Sequence, residues 1–346
     1  MTQWTRLMRF LIRVDADPEI GSGHFMRMIA LAEQLQDRSH EVHLATASRN
    51  DLCDAYLAEN RLQAHPVPAS RDEDAHALLA LARALRAAWV VLDGQRFDTA
   101  YQRVLRADGC RVMSVDDLAL GHFASDVVLN QNYGAENLTY SAEPYTKLLL
   151  GLRYVLLRRE FRTADAPLRA PGKQPRHVLV SFGGTLRPGL LARTLDALLA
   201  RERSNLSVTL VVGAFDALDA AVTESCRTAG PRIALIRHSR HMAETMRSAE
   251  AAITAAGSTM WELLHMRVPF LALPLNDAQD AYLERLACDA VCARFPFARN
   301  PQPEVLAERI HAFLEDQALH AQILTRTVGL IDPRRAERLL SAVFET

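Results

Sequence analysis

A histidine at the mouth of a glycine turn is the first feature of this sequence with chemical content. The run Arg13-Val-Asp15-Ala-Asp17-Pro-Glu-Ile20-Gly21-Ser22-Gly23-His24-Phe-Met-Arg27 leaves a strand-like segment and enters a helix-like one. Gly21 and Gly23 allow a tight turn and close backbone approach to a ligand. The helix start beyond them offers unpaired N–H groups and partial positive charge to an anion. No third glycine follows three residues after Gly23, so this is not the dinucleotide fingerprint, and no Lys-Ser/Thr makes it a Walker loop. An imidazole in this place, with an ordinary pKa of about 6.5, can act as a general base near neutral pH. The plainer reading of His24 is a side chain that caps or packs at the helix start.

Three further loops have the composition of ligand sites. Thr254-Ala-Ala-Gly257-Ser258-Thr259-Met-Trp261-Glu262 follows a strand and opens a helix. Its backbone N–H groups and hydroxyls suit a diphosphate, and Glu262, about one turn on, suits a ribose diol. A capping box from Thr259 to Glu262 accounts for the same residues. Ser181-Phe182-Gly183-Gly184-Thr185 also leaves a strand, and Pro274-Leu-Asn276-Asp277-Ala278-Gln279 could hydrogen-bond sugar hydroxyls or form an ordinary polar turn. Asp116-Asp117 could bind a sugar or cap the next segment. His238-Ser-Arg-His241 has metal-like spacing without an acidic or thiol companion, so a solvated loop fits better than zinc.

These loops need elements to hold them. Strand candidates Arg9–Val14, Glu41–Thr46, Trp89–Asp93, Arg111–Val115 and Asp126–Leu129 alternate with helical stretches at Phe25–Gln36, Asp51–Asn60, Asp72–Ala87 and Thr99–Ala107. Thr163–Pro175, with three prolines and no apolar periodicity, reads as a linker. The alternation then restarts at His177–Phe182 and continues through Ser207–Val212, Arg232–Ile236, Ala251–Thr254 and Phe270–Leu273, ending in helices. Such βαβα order implies two parallel sheets with helices on both faces, residues 1–162 and 176–330, with a cleft expected at their junction. Ligands of open α/β sheets sit beyond the carboxyl ends of the strands, where all these loops lie.

Composition narrows the function classes. The 346 residues include 40 basic and 41 acidic side chains, a formal net charge of −1, so no global basic field exists to hold nucleic acid or an anionic membrane. No apolar stretch approaches the ~20 residues of a membrane helix, and no secretory leader is read at the N-terminus. Five scattered cysteines without a C-x-x-C pair suit free thiols in a reducing cytoplasm better than disulfides or structural zinc.

Taken together, Arg13-x-Asp15, Ile20-Gly-x-Gly-His24-x-x-Arg27, Val115-Asp116-Asp117, Val127-Val-Leu-Asn130-Gln-Asn132-Tyr-Gly134 and Leu149-Leu-Gly151-x-x-Tyr154 resemble one known family. The likeness continues through Val180-Ser-Phe-Gly183-Gly184-Thr185 and Gly257-Ser258-Thr259-x-Trp261-Glu262-Leu263. The family is that of the UDP-2,4-diacetamido-2,4,6-trideoxy-β-L-altropyranose hydrolases of pseudaminic acid biosynthesis. The resemblance implies a GT-B architecture, two Rossmann-like domains facing across a cleft, with the final helix from residue 331 free to pack back on the first. It implies that the second domain grips UDP: Glu262 at the ribose, Gly257–Thr259 with Gly183 and Gly184 at the diphosphate, and His241–Met242 at the uracil. Asp277 and Gln279 would read the sugar. In the first domain His24 would act as base, with Arg13, Asp15, Gly21, Gly23, Asp116, Asn130 and Asn132 around the substrate. Three positions depart from the family pattern: Ala278 in the last loop, Gly94-Gln95 after Asp93, and Leu186 after the double glycine.

The expectation is therefore inverting hydrolysis of a UDP-linked amino sugar at its anomeric carbon, without metal or cofactor. His24 would take the proton of water, and helix N-termini would receive the leaving diphosphate. A glycosyltransferase of the same architecture, passing the sugar to an acceptor hydroxyl, is the alternative, because His24 could deprotonate either nucleophile. A non-catalytic nucleotide-sugar binding protein is a third reading.

Overall fold

The computed structural model describes residues 7–167, 169, 174–183, 189–201, 205–213, 220–237, 239–298, 301–332 and 334–344, and only the backbone at Leu52 and Ala278. Gly184, Thr185, Leu186 and His238, all singled out above, lie outside the described residues. The chain divides into two units. The first comprises the chain up to Ile20, His24–Arg159 and the stretch from Asp332 on; the second comprises Gly21–Gly23 and Glu160–Ile331.

The first unit contains β1 (Arg9–Val14), α1 (Gly23–Gln36), β2 (Glu41–Thr46), α2 (Asp51–Glu59), β3 (Gln63–Pro66), α3 (Arg71–Leu85), β4 (Trp89–Asp93), α4 (Thr99–Arg106) and β5 (Arg111–Val115). It continues with β6 (His122–Phe123), β7 (Val127–Asn130), β8 (Ser141–Ala142) and β9 (Lys147–Leu150). Seven strands form one sheet in the order β3-β2-β1-β4-β5-β7-β9, every described pairing parallel, with β6 and β8 pairing separately. The order reverses direction between β1 and β4, where an open α/β sheet leaves a crevice for ligands. All five residues of β4 are buried, as a strand covered by helices on both faces must be. β3 and β9 extend the sheet to its edges; β3 is too mixed in polarity to show as an apolar run, and β9, with three leucines, is too brief.

The second unit contains α5 (Arg159–Thr163), β10 (His177–Ser181), α6 (Leu190–Leu199), β11 (Ser207–Val212), α7 (Ala220–Ala229), β12 (Ile233–Arg237), α8 (Met242–Ser248), β13 (Ala251–Ala255), α9 (Thr259–His265), β14 (Phe270–Leu273), α10 (Asp277–Cys288), β15 (Ala293–Arg294), α11 (Pro303–Glu315) and α12 (Gln317–Arg326). Six strands run in the order β12-β11-β10-β13-β14-β15, again parallel, and the reversal falls between β10 and β13. Leu195, Leu198, Val208, Leu210, Ile253, Leu306 and Ile310 are among the buried side chains of its core. The unit boundary falls at the start of α5, upstream of Thr163–Pro175. The reason is local: Glu160 Oε2 accepts the backbone N–H of Ala243 at 3.0 Å, and His265 Nε2 lies 2.7 Å from the carbonyl of buried Phe161.

The last helix, α13 (Arg335–Phe344), packs on the first unit. The Phe344 ring stands 6.1 Å from Phe10 and 5.0 Å from His40, and Lys147 Nζ donates to the carbonyl of Ala342. Among the described residues no helix is long and apolar enough to cross a membrane.

Candidate functional site

Parallel pairing in the first unit brings the carboxyl ends of β1, β4 and β5 side by side: Val14 is opposite Asp93, and Asp93 is opposite Val115. Each strand delivers one part of a charged cluster. The β1–α1 loop is folded by Asp17, whose Oδ1 accepts the N–H groups of Glu19 and Ile20 at 2.8 Å, and by Gly21 at φ +80°, where a side chain would be strained. Gly23 has ordinary helical backbone as the first residue of α1, so only one of the two glycines is required by its dihedral. His24 then falls in the first turn of α1, and Arg27, three residues on, shares its face.

His24 Nδ1 lies 2.6 Å from Asp93 Oδ1, and about a quarter of its side chain is exposed. Arg27 is buried and grips two carboxylates. Its Nε donates to Asp93 Oδ2 at 2.6 Å and its Nη2 to Asp93 Oδ1 at 2.6 Å. Nη1 and Nη2 donate to Asp117 Oδ1 and Oδ2 at 2.7 and 3.0 Å. Asn132 Nδ2 donates to Asp117 Oδ1 at 2.8 Å. Burial pushes the Asp93 carboxyl up, but the charges of Arg27 and His24 and their hydrogen bonds outweigh it, so the group stays below the usual carboxylate range. Burial likewise opposes Asp117, and the Arg27 charge again wins, with His24 and Asn132 adding to it. The Arg27 guanidinium is held well above its ordinary value: burial lowers it, and Asp117 and Asp93 more than compensate. The cluster thus stays ionised although it is largely out of water.

Asp93 and Asp117 are the members of this cluster that the sequence pattern does not single out. In the sequence Asp93 only precedes a departure from the family pattern, and of the Asp116-Asp117 pair the resemblance implies Asp116 alone. The usable signal was positional, since an aspartate at the carboxyl end of the strand next to β1 must face the same crevice.

Other expected substrate contacts serve the fold instead. Arg13 is wholly buried, with Nε 3.1 Å from both oxygens of Asp74 and Nη1 2.5 Å from Asp15 Oδ1. Asp15 also accepts the Thr46 hydroxyl at 3.0 Å and the Ala47 N–H at 2.8 Å, tying the loops after β1 and β2 together. Neither side chain is open to a ligand, because charges this deeply placed need partners of their own. Asn130 is wholly buried too; its Nδ2 donates to the Tyr140 hydroxyl at 2.8 Å and its Oδ1 accepts the Asn132 N–H at 3.0 Å. Asp116 accepts from the Tyr140 hydroxyl at 3.0 Å and from the Ala119 N–H at 2.7 Å.

In the second unit the register sets Ser181 opposite Thr254, so the loops after β10 and β13 leave neighbouring strands at that sheet's own reversal point. Gly183 sits in the left-handed region at φ +76°, and a Cβ at Gly257 would meet open space. Gly257 is exposed, with Ser258, Thr259 and Glu262 half-buried. Ser258 precedes α9 without capping it through its side chain. His241 is exposed and Met242 is buried at the start of α8. Asp277 is exposed, whereas Gln279 is used within its turn: its N–H donates to Asn276 Oδ1 at 2.9 Å and its Oε1 accepts the Leu275 N–H at 2.7 Å. No group of three or more His, Cys, Asp or Glu side chains among the described residues is arranged to hold a metal ion.

With both sheets and their loops in view, comparison with solved structures is decisive for the architecture. A. baumannii MurG superposes with a TM-score of 0.68 at 15% identity, covering 98% of this chain and all of that one. The fold is GT-B. The spinosyn forosaminyltransferase SpnP matches with a TM-score of 0.65 at 15% identity, over 98% of this chain and all of its own. An S. aureus MnaA–UDP co-structure matches with 0.67 at 12% identity, over 98% and 96%. No protein-family model matches the GT-B chain described here. In sequence it is 25% identical to the spore coat polysaccharide biosynthesis protein SpsG of Bacillus subtilis over 342 residues, 96% of this chain and 98% of that protein. It is 23% identical over 293 residues to the uncharacterised protein MJ1062 of Methanocaldococcus jannaschii, covering 81% of this chain and 59% of that relative's length.

These comparisons overturn the expectation of a pseudaminic-acid hydrolase. Structures with this architecture include proteins named as transferases, and the relative matched end to end is named for polysaccharide biosynthesis. The physical reason for the error is that a base beside an anomeric carbon leaves the same residues in the sequence whether it deprotonates water or a hydroxyl.

Proposed function

We propose that this chain is an inverting GT-B glycosyltransferase that moves an amino sugar from a UDP-linked donor to an acceptor hydroxyl, in the building of a polysaccharide. The 2.6 Å pairing of His24 with Asp93 at the reversal point of the first sheet carries the assignment of the base, and the transferase names of the GT-B neighbours favour a hydroxyl over water as its target. Asp93 takes the Nδ1 side of the imidazole and leaves Nε2 for the acceptor. His24 removes the acceptor's proton, the resulting oxygen bonds to the anomeric carbon, and the bond from that carbon to the diphosphate oxygen breaks. The electron pair leaves with UDP, and the proton stays on His24 until it is released to solvent. General-base help of this kind typically contributes ~10²–10⁴-fold.

In the same reading the second unit holds the nucleotide. Gly183, Gly257, Ser258 and Thr259 receive the diphosphate through backbone N–H groups and hydroxyls, Glu262 meets the ribose, His241 and Met242 meet the uracil, and Asp277 reads the sugar with the Nε2 hydrogens of Gln279, whose Oε1 is already engaged. Gly184 is assigned to the diphosphate on sequence alone. The names SpsG, SpnP and MnaA–UDP support the polysaccharide, the amino sugar and the nucleotide in turn.

The test is direct. Purified protein is incubated with UDP-N-acetylhexosamines and a panel of mono- and oligosaccharide acceptors, and products are read by mass spectrometry. A coupled product with inverted anomeric configuration is the expected result. Absence of any coupled product, with UDP-sugars binding but unchanged, would leave a binding protein instead.

A further inference from the structure

A guanidinium carries five N–H bonds, and four of those of Arg27 have named acceptors. Nε and one hydrogen of Nη2 go to Asp93, the other hydrogen of Nη2 goes to Asp117 Oδ2, and one hydrogen of Nη1 goes to Asp117 Oδ1. Nη2 also lies 2.9 Å from His24 Nδ1. Both of its hydrogens are already directed at carboxylates, so it has none to give the imidazole. Nδ1, 2.6 Å from Asp93 Oδ1, must then carry the hydrogen of that bond itself, because an ionised carboxylate only accepts.

We propose that Asp117 is a positioning residue that acts through Arg27 to lock His24 as the Nδ1–H tautomer, keeping the Nε2 lone pair available to take a proton. The inference rests on the reading of His24 as base, but the tautomer is measurable without any turnover. Without Asp117, one Nη2 hydrogen is freed at 2.9 Å from Nδ1 and competes with Asp93 for that nitrogen, which raises the share of the Nε2–H tautomer and removes the acceptor in that share.

A charge count points the same way. Asp93 and Asp117 against Arg27 leave one net negative charge around a neutral imidazole, and protonated His24 brings the group to zero. Without Asp117 the group starts neutral and ends with an uncompensated positive charge in a largely buried place, which opposes proton uptake. These groups, on α1, β4 and the loop after β5, are the ionisable side chains the structure shows in contact with His24 and Arg27.

The experiment is ¹⁵N NMR of the imidazole nitrogens at a pH where the ring is neutral, with His24 signals assigned by their loss in His24→Gln. The wild-type protein should show a protonated Nδ1 and an unprotonated Nε2. Asp117→Ala should raise the Nε2–H share of the tautomer mixture and lower kcat at least ~10-fold with donor KM unchanged, and Asp117→Glu should restore both. A wild-type spectrum with Nε2 protonated overturns the proposal, whether or not the alanine variant folds. So does an alanine variant that keeps Nδ1–H in the wild-type proportion. If the tautomers behave as stated while His24→Gln transfers sugar at the native rate, the base assignment fails and the tautomer lock stands.

Discussion

Nδ1 of His24 and Oδ1 of Asp93 are 2.6 Å apart although 69 positions separate them in the chain. Parallel pairing of β1 with β4 makes the contact, because it brings the carboxyl ends of the two strands level where the strand order reverses. A carboxylate on one ring nitrogen fixes which face of the imidazole remains basic, the arrangement by which a histidine is oriented for proton transfer.

Replacing Asp93 by Asn keeps the shape and removes the charge. The amide can present N–H to Nδ1 and so favour the wrong tautomer, and loss of kcat of about 10²–10⁴-fold is expected. Donor KM should stay within a few-fold of wild type. Steady-state kinetics on Asp93→Asn check this, and an unchanged kcat would show the pairing to be structural only.

The Arg13 cluster should govern stability rather than chemistry. Arg13→Met leaves buried Asp15 and Asp74 with only the longer contacts of half-buried Arg96, at 3.5 and 3.4 Å, and breaking a buried ion pair from one side costs up to ~3–5 kcal/mol. Urea denaturation should show that loss. A variant as stable as wild type would mean that Arg96 or water compensates these carboxylates in place of Arg13.

Acid should weaken the first unit through its carboxylates. Asp15, Asp93 and Asp117 all have folded-state pKa values below the unfolded value of about 3.9. A group depressed in this way adds stability that is fully present above the unfolded pKa and is lost as pH falls through the folded one. Unfolding free energy should therefore fall steeply below about pH 4, and Asp93→Asn should make that slope shallower. Equal slopes in the two proteins would contradict the assignment.

Cysteine reactivity should follow burial. Burial pushes the Cys292 thiol up to about 12 and Cys53 to about 11, whereas Cys288, four positions before Cys292, is exposed. Alkylation of the native protein under mildly alkaline conditions, read by peptide mass spectrometry, should label Cys288 and spare Cys292 and Cys53. Labelling of Cys292 at the rate of Cys288 would show that the core opens locally.

The two-sheet plan was legible because long, fully buried strands such as Trp89–Asp93 and Ala251–Ala255 leave unbroken apolar runs between helical stretches. Gln63–Pro66, half exposed at the sheet edge, leaves none. His24 was legible because a glycine turn into a helix is a local pattern. Its partners were not, since Asp93 and Asp117 reach it only through strand register, which sequence spacing does not encode. Arg13 illustrates the converse: a charged residue in a motif-like position suggests a ligand, and only burial reveals that its partners are Asp15 and Asp74. The choice of water over a hydroxyl as nucleophile came from resemblance alone, and it is the part that had to be corrected.

Acceptor dependence of UDP release is the measurement that bears most directly on the transfer reaction. Wild-type protein and His24→Gln are given a UDP-amino sugar with and without a saccharide acceptor, and UDP is followed continuously. The expected result is release that needs the acceptor and falls at least ~10²-fold in the variant while the donor still binds. Release at the same rate without acceptor, or at the native rate without the imidazole, would contradict it.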